Sequence, residues 1–250
     1  MESVVQAIHY TSRPAQWHAL AVALDLAPGF EPAEMWSEFD GDGILAIHAV
    51  NAEDPRDGTT DIHLLVDDLD DVAAALEPVA DVSRSVLDDI GPFVAARTSS
   101  GVRVTASAGV RRAVEGMLIQ PIWYGTEVAP VRAVLEAAGL HPRIASDAGT
   151  WMDFAAPLGG SVGFHAAQEP GVVLGMECSG DLDALQRRLE ASHLPAEIVD
   201  EAYNRTLLVD TPDGTKLWIN GAMTDLHGYR RVDAEPRVDS STGEELSTDL

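Results

Sequence analysis

The sequence predicts an α+β protein made of two similar domains, each running strand, helix, three strands, and then the same order again. Three observations predict it. Asp68-Leu69-Asp70 and Asp181-Leu182-Asp183 each open a helical pattern, and Leu76-Glu77, Thr98 and Gly101 recur 113 positions later as Leu189-Glu190, Thr211 and Gly214. A self-match at that distance, with turn residues falling on turn residues, marks a duplicated domain rather than a solenoid repeat. Stretches with two-residue alternation are separated by helical stretches and by Gly- and Asp-bearing turns. The composition, 46% hydrophobic and 23% charged over 250 residues, is that of a folded chain of one or two domains.

In the first copy, residues 4–10 read as a strand. Pro14 suits a first helical position, and residues 15–26 carry the helix. Residues 36–39 and 44–50 alternate as strands around the turn at 40–43. The second unit opens with a strand over 61–66 and a helix over 69–79, followed by strands over 82–87, 93–98 and 102–107. In the second copy, strand 117–124, helix 129–138 and strands near 143–145, 151–155 and 161–166 precede strand 172–178, helix 183–192 and strands 197–199, 206–210 and 216–220. Domain limits of 1–112 and 113–222 follow, with an acidic polar tail over 223–250. The acidic run Asp67, Asp68, Asp70 and Asp71 lacks the glycine and terminal glutamate of an EF-hand loop and reads as helix N-capping.

Charge and cysteine content exclude several classes of function. Asp and Glu number 41 against 16 Lys and Arg, a formal charge of -25. Such a surface repels phosphate backbones, so neither nucleic acid nor an anionic membrane is an expected partner. The single cysteine, Cys178, allows no intrachain disulfide and no cysteine-based zinc site. No apolar run reaches the roughly 18 residues of a membrane span, and the start MESVVQAIHY has no basic n-region before a long apolar stretch. A cytoplasmic location is expected.

The half-module starts IHLLVDDLDDV (62–72) and LGMECSGDLDAL (174–185), with the module ends LLVDTPDGTKLWIN (207–220) and, more loosely, RTSSGVRVTAS (97–107), resemble the vicinal oxygen chelate superfamily. That superfamily holds the glyoxalases, the bleomycin-resistance proteins and the extradiol dioxygenases. Its aspartate-proline-aspartate-glycine turn is matched by Thr211-Pro212-Asp213-Gly214 except at the first position. The resemblance covers residues 4–221. It implies four βαβββ modules, paired into two cupped eight-stranded sheets with helices outside and ligand inside. In metal-using members it further implies ligands from the first, fourth, fifth and eighth strands of a cup.

Alternation along these strands selects candidates. With Ile62, Leu64 and Val66 packed on the helix, His63 faces the first cup. With Leu45 and Ile47 outward, His48 does too, and with Ile8 packed, so does His9. The three histidines lie on three of the implied ligand strands, while Thr105 stands where the family has glutamate. Two readings stand: a shared divalent metal (Fe, Zn, Ni or Mn) at His9, His48 and His63, or three separately hydrogen-bonded histidines. In the second cup His9 is matched by Trp123, Thr105 by Trp218 and His48 by His165, a set that does not chelate. Trp123 and Trp218 are expected to approach each other there, either as an aromatic pocket or as packing. Candidate substrate contacts are Trp36, Arg103 and Thr105 in the first cup and Trp123, His165 and Trp218 in the second.

The resemblance implies a glyoxalase-like, metal-dependent enzyme acting on a small oxygen-bearing organic molecule: a lyase, isomerase or oxygenase. The missing glutamate stands against glyoxalase-type proton shuttling. The alternative is a metal-free protein of the bleomycin-resistance kind that binds and sequesters a small molecule. Either works as a monomer that is its own pseudo-dimer, or as a homodimer.

Overall fold

The computed structural model describes residues 1–30, 33–87, 91–201, 204–223 and 226–232. The first half carries β1 (Ser3–Thr11), α1 (Pro14–Ala23), β2 (Ala27–Pro28), β3 (Trp36–Gly41) and β4 (Gly43–Ala49). A second module follows: β5 (Thr60–Val66), α2 (Leu69–Leu76), β6 (Asp81–Leu87), β7 (Gly91–Arg97) and β8 (Arg103–Ala108). The eight strands form one sheet in the order β2-β3-β4-β1-β5-β8-β7-β6. The modules meet where β1 runs antiparallel to β5. Pro14 starts α1, and the Asp68 side chain accepts the amides of Asp70 and Asp71 to start α2. The repeated Asp-Leu-Asp is therefore a helix cap in both copies, Asp181 accepting the amide of Asp183.

The second half repeats the order with interruptions. It holds β9 (Leu118–Ile119), β10 (Ile122–Gly125), α3 (Val128–Ala137), β11 (His141–Ser146), β12 (Trp151–Ala155) and β13 (Ser161–Ala166). Then come β14 (Gly171–Val173), β15 (Gly175–Cys178), α4 (Leu182–Ala191), β16 (Ala196–Asp200), β17 (Arg205–Asp210), β18 (Lys216–Gly221) and β19 (Tyr229–Arg231). Where one eight-stranded sheet is expected, two sheets occur, ordered β14-β10-β13-β12-β11-β19 and β16-β17-β18-β15-β9. The cause is local. Pro121 lies between β9 and β10 and has no amide to donate, whereas its counterpart Ala7 lets β1 run unbroken. Pairing continues on both sides of the gap, β10 with β14 and β9 with β15, and the Gln120 amide bonds to Gly175 O at 3.0 Å. The two sheets thus adjoin as the halves of one cup. Strand β19 pairs with β11, so part of the expected tail is an edge strand; residues 233–250 of that tail lie outside the described residues.

The two halves are bonded along their backs. One apolar core joins Ile62, Leu64 and Val72 to Val131, Leu135 and Phe164. Another joins Trp17, Leu20 and Ile47 to Leu185, Leu189 and Leu217. Each core therefore mixes helix-facing residues of both halves. At the join, the Val5 amide donates to Gly159 O at 3.0 Å and the Ile119 amide to Asp42 O at 2.7 Å. Val5 and Ile119 hold equivalent places, so the bonds are a pseudo-twofold pair. Gly43 and Gly160 touch beside them, and a Cβ on Gly160 would lie 2.6 Å from the Val5 Cβ.

Candidate functional site

Register decides which side chains meet inside the first cup. His63 lies beside Gln6 on β1 and Thr105 on β8, and His48 lies beside Tyr10 on β1 and Trp36 on β3. Cross-strand partners share a face, so these six line the inner face. His9 does not. It pairs with Ile47 and Thr60, and its ring centroid sits 4.1 Å from that of Trp17 on α1. The expectation that His9 enters the cup is corrected: it lies on the helix side. All nine residues of β1 are buried, and a strand covered on both faces shows no polar-apolar alternation from which to read its facing.

His48 and His63 share the cup but not a point in it. Their partners Tyr10 and Gln6 are four residues apart on β1, about 13 Å at roughly 3.3 Å per residue. Each His63 ring nitrogen also has a hydroxyl partner, Thr105 at 2.8 Å from Nδ1 and Ser107 at 2.9 Å from Nε2. Burial, with the Arg103 charge adding to it, pushes the His63 pKa down to about 3, so the ring is neutral. A shared ion needs ligand bonds of about 2 Å. The residues that the resemblance assigns to a metal do not fit one. Among the described residues, no three His, Cys, Asp or Glu side chains are grouped as a metal site requires.

The remaining first-cup candidates are tied to carboxylates. Arg103 donates to Asp61 at 2.9 Å, and Trp36 Nε1 donates to Glu38 at 3.0 Å. Gln6 and Arg111 also donate to Glu38, at 2.9 and 2.6 Å. Burial and the neighbouring Asp61 carboxylate raise the Tyr10 pKa to about 12.

The second cup holds a cavity of 420 Å³. Trp218 and His165 line it, and Trp218 is 41% exposed. Trp123 does not line it. It pairs with Phe164 and Val172, is 1% exposed and packs in the helix-side core. The two indoles therefore lie on opposite faces. This correction has the same origin as that for His9, because the two residues hold equivalent places. Other aromatic walls are Tyr124, Trp151 and Tyr229. At the base, Arg143 Nε donates to Asp153 at 2.8 Å, and its Nη1 and Nη2 donate to Glu177 at 3.2 and 2.8 Å. Burial opposes the Arg143 charge, but Glu177 and Asp153 outweigh it and the pKa is raised.

The two inner faces repeat a constellation that the 113-residue register passes over. Gln6-Ala7-Ile8-His9-Tyr10 matches Gln120-Pro121-Ile122-Trp123-Tyr124, and Trp36-Ser37-Glu38-Phe39 matches Trp151-Met152-Asp153-Phe154. His48-Ala49 matches His165-Ala166. In space, His48 lies 5.2 Å from Tyr10 and 5.5 Å from Trp36, and His165 lies 5.5 Å from Tyr124 and 6.2 Å from Trp151, between ring centroids. Each set has an acid below it, Glu38 or Asp153, held by an arginine. Arg143 comes from β11, whereas Arg111 comes from the segment after β8.

No family model matches the sequence, and no curated protein does. Solved structures match at low identity. A catechol 2,3-dioxygenase is 13% identical with a TM-score of 0.61, covering 88% of each chain. The 2,3-dioxygenase LapB from Pseudomonas sp. KL28 is 14% identical with a TM-score of 0.60, covering 89% of this chain and 94% of that one. Homoprotocatechuate 2,3-dioxygenase from Brevibacterium fuscum, solved with 3,4-dihydroxyphenylacetate, is 13% identical with a TM-score of 0.58, covering 87% and 78%. The repeated modules, the pseudo-twofold join and this similarity agree: the chain has the tandem fold of the vicinal oxygen chelate superfamily, in the form found in the extradiol dioxygenases.

Proposed function

We propose that the chain binds a small, flat organic molecule in its second cup and does so without a metal ion, in the manner of the sequestering members that the resemblance implies. One observation carries the reading: the 420 Å³ cavity walled by Tyr124, Trp151, Trp218 and Tyr229. Ligand sites for small molecules have volumes of about 300–1,000 Å³, apolar and aromatic walls and a few fixed polar groups. Indole and phenol rings supply stacking area with little loss of side-chain freedom. The first cup, with Glu38 bonded to Gln6, Trp36 and Arg111, acts as the scaffold that completes the pseudo-dimer. The domain units 1–112 and 113–222 belong to the same proposal.

Tryptophan-fluorescence and calorimetric titration with quinoline and catechol, on protein purified without a histidine tag and assayed for metals, test it. Saturable binding that is weakened by Trp151→Ala, in protein without a stoichiometric metal, is the expected result. One equivalent of Fe, Zn, Ni or Mn, lost on His63→Ala, would overturn it. That result would favour the second reading, a metal-dependent lyase, isomerase or oxygenase. The observation on its side is that the similar solved structures are catechol-cleaving dioxygenases.

A further inference from the structure

We infer that the second cup selects aromatic molecules carrying a positive charge. The inference rests on the binding reading above and names the ligand class. Its basis is the charge count at the base of the cavity. One guanidinium, that of Arg143, faces two carboxylates, those of Asp153 and Glu177. Among the described residues, the other Lys or Arg lining the cavity is Lys216, whose ammonium sits on Asp210.

The two carboxylates differ in what they offer a ligand. The Asp153 side chain is 2% exposed, and its oxygens already accept from Arg143 and from the Ile144 amide at 2.8 Å. Burial raises its pKa, and the Arg143 charge and Ile144 amide counter this. Glu177 lines the cavity with its side chain 18% exposed. Its bidentate pairing with Arg143 uses two acceptor sites, and a carboxylate has about four. Two acceptor sites therefore remain on a partly exposed side chain that lines the cavity.

Indole and phenol faces attract cations, by roughly 0.5–2 kcal/mol depending on desolvation. A positively charged ring set among Tyr124, Trp151 and Trp218 therefore gains twice, from the ring faces and from Glu177. An aromatic acid loses twice, because Arg143 is already engaged and a second anion would approach Glu177. The formal charge of -25 adds a long-range field of the same sign.

Three bicyclic probes of matched size test this on the full chain: N-methylquinolinium, quinoline at pH 8 and 2-naphthoate. Tryptophan quenching and calorimetry are expected to rank them in that order, with the cation about tenfold tighter than quinoline, or about 1.4 kcal/mol. Glu177→Gln is expected to reduce the cation-to-quinoline ratio to about threefold or less, as one ring-face attraction alone would give. Naphthoate binding as tightly as the cation would overturn the charge selection while leaving the binding reading intact. So would a Glu177→Gln ratio equal to that of the parent. Failure of all three probes to bind the parent would overturn both.

Discussion

His9 Nε2 lies 2.8 Å from Asp213 Oδ2, so a side chain expected to bind metal in the first cup instead bonds to a turn in the second half of the chain. Asp213 sits in the Thr211-Pro212-Asp213-Gly214 turn. It also accepts from Thr11 Oγ1 at 2.7 Å and from Trp17 Nε1 at 2.6 Å. Arg13 closes the contact with a bond to Pro212 O at 2.8 Å. Burial alone would raise the Asp213 pKa, but the donors from His9, Thr11 and Trp17 outweigh it and hold the pKa below the usual carboxylate range. Removing the carboxylate by Asp213→Ala leaves three donors without their acceptor. The expected loss is about 2–4 kcal/mol, from charged hydrogen bonds lost and buried donors left unpaired. Urea unfolding followed by tryptophan fluorescence measures it, and an unchanged midpoint would mean that the turn does not join the two halves energetically.

His63 makes stability depend on pH. Its folded pKa of about 3 lies below the ordinary value of 6.5. Between those values the unfolded chain binds a proton that the folded chain does not, so stability falls as pH drops through that window. The slope reaches about 1.4 kcal/mol per pH unit at most. His63→Gln keeps a donor and an acceptor for Thr105 and Ser107 but does not titrate. Urea midpoints taken from pH 7 to pH 4 are expected to fall more steeply for the parent than for the variant; parallel curves would contradict the neutral, enclosed ring.

Gly160 tests the join. Its φ is +78°, and an added Cβ would meet the Val5 Cβ at 2.6 Å and the Gly43 Cα at 3.2 Å. Gly160→Ala combines backbone strain with overpacking at the pseudo-twofold, and a loss of about 2–4 kcal/mol is expected. Gly149→Ala is the control. Its φ of +70° is similar, but nothing lies within 4 Å of the added Cβ. Equal losses for the two variants, read as thermal midpoints, would show that strain alone acts and that the join is not tight.

The architecture was legible where side chains alternate between different environments. In β5, Ile62, Leu64 and Val66 on one side and His63 on the other placed the strand, and Thr105 on β8 followed. Helix starts were legible because Asp68 and Asp181 cap them chemically. What failed was facing in the central strands β1 and β10, where His9 and Trp123 lie among residues buried on both sides. There composition carries no sign of which face is which. A second comparison held the missing information. The Gln-x-Ile-x-Tyr segments at 6–10 and 120–124 and the Trp-x-acid-Phe segments at 36–39 and 151–154 are self-similar at offsets of 114 and 115 rather than 113. Short insertions between modules shift the register, so one fixed offset conceals these residues. Arg143 was beyond sequence reasoning for another reason: its role depends on Asp153 and Glu177, which reach it only through strand pairing and the crossing of the broken sheet.

Arg143 offers the sharpest test of the second cup's base. Its side chain is 29% exposed, whereas that of Asp153 is 2% exposed. Arg143→Met keeps much of the apolar stem and removes the charge, leaving Asp153 buried beside Glu177 with no cation between them. Breaking such a pair from one side costs about 3–5 kcal/mol when it is fully buried, and the partial exposure of Arg143 places the expected loss near about 3 kcal/mol. The variant also steepens a pH dependence. Burial already raises the Asp153 pKa with Arg143 present, and without the guanidinium it rises further. The folded variant then takes up a proton at a pH where the unfolded chain does not, so lowering the pH from 7 toward 5 stabilises the variant relative to the parent. Urea unfolding of both proteins across that range is expected to show the gap narrowing as the pH falls. A gap that stays constant would mean that Asp153 does not depend on Arg143 for its charge, and that the two carboxylates are solvated independently.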